Sequence, residues 1–209
     1  ASDVYKRQDY DGVPKIKELF YTPENDKYIL YEECVPGYTI DELFKKGTQF
    51  SKKFVIKMAT ALCNILKPIH NDNLIHRDIS PNNVMYSQIE DKFYLIDFGN
   101  SRLNKINTPK DTVFAGTPIF MAPEQGGVGT QSDNRTDIYA IGMLMKFMLT
   151  KNTTDKKSKI RGRLGKIIKK CTQSEMASRY KNVDKLKFKL SMIKVDDFLF
   201  PFKMYLYIL

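Results

Sequence analysis

Three short motifs carry the residues best suited to chemistry. His76-Arg77-Asp78-Ile79-Ser80-Pro81-Asn82-Asn83 holds a carboxylate and, five positions later, an amide; Asp97-Phe98-Gly99 adds a second carboxylate and Ala122-Pro123-Glu124 a third. A carboxylate can orient or accept the proton of a reacting hydroxyl. A carboxylate and a carboxamide oxygen brought together suit a hard divalent cation, which prefers oxygen donors. An isolated Asp or Asn in a loop usually does no more than cap a turn. Here the order and spacing of the three motifs set these residues apart.

The elements that would position them follow from periodicity and turn signals. Residues 13–34 contain two extended runs, KIKELFY and KYILYEE, separated by the turn-rich TPEND, which predicts a β-hairpin. Val35, Pro36 and Gly37 break the strand, and Thr39 followed by Ile40, Asp41 and Glu42 opens a short helix with an acidic first turn. Ser51 is read as the cap of a longer helix whose apolar residues, Val55, Met58, Leu62, Ile65, Leu66 and Ile69, recur at helical spacing. Short strands are expected around residues 84–86 and 93–96, then a long irregular segment to Glu124 and an apolar helix from about Asp137 to Leu149. The basic residues from Lys156 to Lys170 read as a solvated helix face, and no internal repeat is visible.

The chain has 209 residues, enough for one sizeable core or one domain plus a fragment, and a net charge of +10. The excess is mostly lysine, accompanied by abundant Asn, Ile and Tyr as in a chain encoded by AT-rich DNA. No arginine-rich stripe with interleaved aromatics appears, so no specific nucleic acid is expected as a partner. Cys34, Cys63 and Cys171 lie far apart without metal-ligand spacing, and their odd number cannot form a complete disulfide set, which suits a reducing cytosol. No apolar run is long enough to span a bilayer, and the first residues are too polar for a secretory signal.

Taken in order, the motifs match the catalytic loop, metal-binding triplet and activation-segment end of protein kinases, and from roughly residue 13 to about residue 190 the chain resembles the bacterial-type serine/threonine protein kinases. The resemblance implies an α+β, protein kinase-like fold with a complete, mostly helical large lobe and a small lobe represented only by its last strands. It implies ATP as cofactor with Mg2+, or alternatively Mn2+, and protein substrates phosphorylated on Ser or Thr. Phosphoryl transfer leaves a protein little covalent work, so the site must position the nucleophile and neutralise charge. Asp78 would orient the acceptor hydroxyl, while Asn83 and Asp97 would hold the metal and, through it, the nucleotide. Backbone groups of Glu33 and Val35 would meet the adenine edge, with Met85 packing beneath the ring.

Supporting roles carry over residue by residue. Asp137 falls where the family anchors the catalytic-loop backbone, Arg179 where it pairs with the glutamate of the Ala-Pro-Glu triplet, here Glu124, and His76 and Phe98 within its hydrophobic spine. Gly116-Thr117-Pro118 resembles the substrate loop of serine/threonine kinases, with Thr117 able to bond Asp78. Arg77 would meet a phosphate on the activation segment, where Thr112, or else Thr108, is the expected acceptor.

Some positions depart from the pattern. Ser80 stands where most members carry a lysine that touches the transferring phosphate, and Glu32 where a larger apolar residue is usual. No glycine-rich phosphate loop, Val-Ala-Ile-Lys strand or partner-glutamate helix precedes the hairpin. We read that as truncation, so that the chain alone is expected to transfer phosphate negligibly. The expected division is a non-native or disordered leader over 1–8, a small-lobe remnant over 9–34, the large lobe with hinge, catalytic loop and activation segment over 35–192, and an apolar tail over 193–209. Localisation is expected to be cytoplasmic, with membrane attachment only through sequence after Leu209. The competing expectation is a catalytically silent kinase-like regulatory binding module; a small-molecule phosphotransferase ranks third, because it would not carry the Gly116-Thr117 and Ala122-Pro123-Glu124 platform.

Overall fold

The computed structural model describes residues 10–103, 116–126, 131–150 and 160–193. Strands β1 (Ile16–Thr22) and β2 (Lys27–Glu32) form the expected antiparallel hairpin, pairing Leu19 with Leu30 and Phe20 with Ile29. A 3₁₀ turn over Pro23–Asn25 closes it, with Asp26 in the left-handed region at φ 50°. After β3 (Tyr38–Thr39), helix α1 (Ile40–Lys45) opens with a capping box: Glu42 N–H donates to the Thr39 hydroxyl oxygen, and Thr39 N–H donates to the Glu42 carboxylate. Ser51 caps α2 (Lys52–Asn71) by accepting from Phe54 N–H at 3.1 Å. The predicted stripe of α2, Val55 through Ile69, is buried throughout.

Strands β3, β5 (Val84–Ser87) and β6 (Lys92–Leu95) form a three-stranded antiparallel sheet, and Phe54 of α2 packs edge-on against Tyr86 and Phe93. Because β5 and β6 run in opposite directions, the start of β5 and the end of β6 share one edge. Val84 pairs with Leu95, and Ile96 N–H donates to the Asn83 carbonyl at 2.9 Å. Asn83 and Asp97 are therefore delivered to the same place by strand pairing. A second short ladder, β4 (Leu74–Ile75) with β7 (Arg102–Leu103), sets the start of the catalytic loop beside the segment that follows Gly99. β7 lies inside the stretch expected to be irregular, and two residues leave too little pattern to read.

Helix α3 (Asn134–Thr150) begins three residues earlier than expected, where Asp133 Oδ1 accepts the Arg135 N–H at 2.8 Å. It packs on α2 and on α4 (Gly162–Cys171), while α5 (Val183–Ser191) packs on α2. The α3–α4 approach requires Gly142, since a Cβ there would lie 2.5 Å from Cys171 Cβ. One cluster of buried side chains runs through α1 to α5 and the β5–β6 sheet and includes Val13. Leu95 N–H donates to the Gly12 carbonyl, so residues 10–13 attach to the helical body, whereas 9–34 was expected to belong together to the small lobe. Thr108 and Thr112, residues 1–8 and the tail from 194 lie outside the described residues.

Candidate active site

Three sequence-distant segments meet at Asp78. Its Oδ1 accepts two hydrogen bonds from Thr117, the backbone N–H at 2.8 Å and the hydroxyl at 3.0 Å; its Oδ2 accepts one from Asn100 Nδ2 at 3.1 Å. Thr117 is held by its neighbours: a side chain in place of Gly116, at φ 123°, would crowd the Arg77 carbonyl, Met121 and Gln125.

Asn83 Nδ2 donates to the Asp78 carbonyl at 2.9 Å, which leaves the amide oxygen as the other polar atom of that side chain. Asp97 Oδ1 accepts Gly99 N–H at 3.0 Å, leaving Oδ2. A carboxamide oxygen and a carboxylate oxygen at one sheet edge fit a hard, oxygen-seeking divalent cation.

The catalytic loop is tied down from beneath. Asp137, with no solvent exposure, accepts the N–H of His76 at 3.0 Å on Oδ2 and that of Arg77 at 2.9 Å on Oδ1. Arg77 adopts φ 70° and Asp97 φ 61°, conformations that cost a non-glycine residue about 1–3 kcal/mol and persist only where the surroundings impose them. At Arg77 the imposition comes from both sides, because Gln125 Nε2 donates to its carbonyl at 2.7 Å. Burial opposes the Asp137 charge, yet the His70 Nε2 hydrogen bond at 2.8 Å and the surrounding donors hold its carboxyl below the usual range.

His76 is a packed residue. It lies edge-on to Phe98 at 4.7 Å, its Nε2–H donates to the Ile96 carbonyl, and its Nδ1 accepts Asp78 N–H. Burial lowers its pKa, and a proton on Nδ1 would break the bond to Asp78. Farther out, Arg179 grips Glu124 through two nitrogens at 2.6 and 2.7 Å while donating to the carbonyls of Gln173, Ser174 and Arg135. Thr136 adds a hydroxyl donor to Glu124 Oε1 at 2.9 Å.

Other expected residues fall differently. Ser80 is fully buried, and among the described residues its hydroxyl oxygen finds no hydrogen-bond partner. Glu33 N–H donates to the Lys15 carbonyl at 2.8 Å, leaving the Glu33 carbonyl as its remaining polar backbone group; Val35 and Met85 are half-buried. None of these three lines the cavity of about 180 Å³ between the hairpin and the Asp97-Phe98 turn, which is bounded by Val13, Pro14, Ile16, Leu30, Glu32, Asp97 and Phe98. Glu32 therefore faces Asp97 across a partly apolar space. Partial burial first, then the Asp97 charge, push its carboxyl above the usual range.

Sequence reasoning missed His70, Asn100 and Gln125. The last two stand immediately after recognised triplets, and their adjacency was the available signal. His70 had none beyond its place in the last turn of α2.

Residues 3–196 match the family described as protein kinase domain. The chain is 31% identical over 147 residues to serine/threonine-protein kinase C of Synechocystis sp., covering 67% of this chain and 27% of that protein. It is 27% identical over 228 aligned residues to serine/threonine-protein kinase B of the same organism, covering 94% and 39% respectively. Myosin light chain kinase A of Dictyostelium discoideum is 28% identical over 149 residues, covering 70% of this chain and 49% of that kinase. The chain thus spans under half the length of each of these relatives. Family match, relatives and the convergence of Asp78, Asn83 and Asp97 agree: the chain belongs to the protein kinase domain family, whose members are phosphotransferases that use ATP with a divalent metal.

Proposed function

We propose that the protein is a MgATP-dependent serine/threonine protein kinase that transfers the γ-phosphoryl group of ATP to Ser or Thr hydroxyls of other proteins. The observation that carries this reading is the Asp78 carboxylate, held by both polar groups of Thr117 from a loop 39 residues away, with Asn83 bonded to the Asp78 carbonyl and accepting the N–H of Ile96, the residue before Asp97. Asp78 orients the acceptor hydroxyl and takes up its proton. The amide oxygen of Asn83 and the free oxygen of Asp97 would hold Mg2+, which would supply positive charge to offset the negative charge that develops on transfer. The Glu33 carbonyl and Val35 N–H meet the adenine edge and Met85 underlies the ring. Thr117 joins the acceptor loop to the catalytic carboxylate, so a bound peptide and the group that activates its hydroxyl move together.

Among the described residues no helix is long and apolar enough to cross a membrane. Cys34, Cys63 and Cys171 are all free thiols, which supports our placing the domain in the cytoplasm, where ATP is abundant. The test is phosphotransfer from labelled ATP to a Ser/Thr-containing protein by the product of the complete reading frame, followed by phosphoamino-acid analysis. Label on Ser or Thr supports the proposal; label on Tyr alone, or none with Mg2+ present, refutes it. The last outcome would also favour a silent binding module.

A further inference from the structure

We propose that Asn100 is a positioning residue for the acceptor hydroxyl: its amide pins Asp78 Oδ2 and leaves one lone pair of that oxygen facing the nucleophile. The proposal rests on the phosphotransfer reading above. An ionised carboxylate offers about four acceptor sites, two on each oxygen. Thr117 fills both on Oδ1, through its N–H at 2.8 Å and its hydroxyl at 3.0 Å. Asn100 Nδ2 fills one on Oδ2 at 3.1 Å, so a single site is left for the incoming hydroxyl.

The second contact changes what the first can do. Held at Oδ1 alone, the carboxylate can pivot about that oxygen, and Oδ2 swings over the space where the hydroxyl must sit. A donor on Oδ2 removes the pivot. Charge-assisted hydrogen bonds are the strong class, so the pin is firm although its donor is neutral.

Asn100 is itself preorganised. Ser101 donates to the Phe98 carbonyl through its N–H at 3.0 Å and its hydroxyl at 2.6 Å, closing a turn around Asn100. On the far side, Arg102 of β7 pairs with Ile75 of β4, the residue that leads into His76. The Asp78 backbone is fixed as well, by its N–H donating to His76 Nδ1. Both partners of the Asn100–Asp78 bond are thus set by one ladder, and the bond needs no bound substrate to form.

The experiment compares wild type, Asn100→Leu, Asn100→Asp and Asn100→His in the product of the complete reading frame, with ATP and an acceptor peptide varied separately. Leu and Asp lack a donor at this point, whereas His can supply one. We expect kcat to fall about 10- to 100-fold in Asn100→Leu and Asn100→Asp with KM for ATP within about twofold of wild type, and Asn100→His to recover to within about threefold. A kcat for Asn100→Leu within twofold of wild type overturns the proposal. So does a loss accompanied by a parallel rise in KM for ATP and a lowered Tm, which is the mark of a merely structural role. Loss of wild-type turnover would instead refute the phosphotransfer reading. The contact is then judged by the Tm of Asn100→Leu, Asp78→Ala and the double variant: non-additive shifts uphold the pairing, and additive shifts overturn it.

Discussion

Replacing Arg179 by Met should destabilise the helical body more than any surface substitution can. The guanidinium side chain has no exposure and its partner Glu124 7%. Removing it abolishes two charge-assisted bonds to Glu124 and the bonds to the carbonyls of Gln173, Ser174 and Arg135. The Thr136 hydroxyl then remains as a donor to Glu124 Oε1, which does not balance a buried negative charge. Breaking a buried pair from one side costs about 3–5 kcal/mol. For a domain of this size 1 kcal/mol moves Tm by about 2–4 °C, so the shift should be roughly 6–20 °C. Differential scanning calorimetry of wild type, Arg179→Met, Glu124→Leu and the double variant reads it. The double variant should lose less than Arg179→Met alone, because it buries no unpaired charge. An Arg179→Met protein melting within about 2 °C of wild type, or a double variant less stable than the single, would refute the reasoning.

Two further outcomes follow from the same geometry. The lowered pKa of His76 means that below about pH 6.5 the unfolded chain takes up a proton that folded His76 refuses. Stability should therefore fall as pH drops through that value towards the folded pKa and be unaffected above it; Tm from pH 8 to 5 should show a limb that is shallower in His76→Phe, and equal slopes would contradict the assignment. Arg77 and Arg102 lie close enough for the Arg77 charge to lower the Arg102 pKa, after burial as the larger cause, and such a pair is suited to a phosphate with close to two negative charges. Mass spectrometry of active protein should find phosphate on Thr112 or Thr108, and none anywhere between Ser101 and Thr117 would remove this role for Arg77.

What could be read from sequence was whatever repeats in pattern or comes as a motif. The α2 stripe, the Thr39 and Ser51 caps and the hairpin follow from local periodicity and local hydrogen bonding, which are properties of neighbouring residues. The meeting of Asp78, Asn83 and Asp97 was legible only through three motifs in order. Its physical cause, the shared edge of β5 and β6, depends on a ladder of four-residue strands with little pattern of their own. Adjacency to a triplet marked the places of Asn100 and Gln125 but not their bonds, because their partners lie 22 and 48 residues away and an amide makes no statement of direction until the chain is folded. Ser80 shows the converse: a motif position fixed its place in the chain, but not that its side chain would be fully buried.

The central claim is that Asp78 orients a protein hydroxyl for phosphoryl transfer. Its most direct measurement is the single-turnover transfer of labelled γ-phosphoryl from MgATP to an acceptor protein by wild type and Asp78→Asn, each made from the complete reading frame. Loss of a positioned general base should slow transfer about 10²- to 10⁴-fold while nucleotide affinity stays within about twofold. Equal transfer rates in the two proteins, with Tm unchanged, would contradict the account.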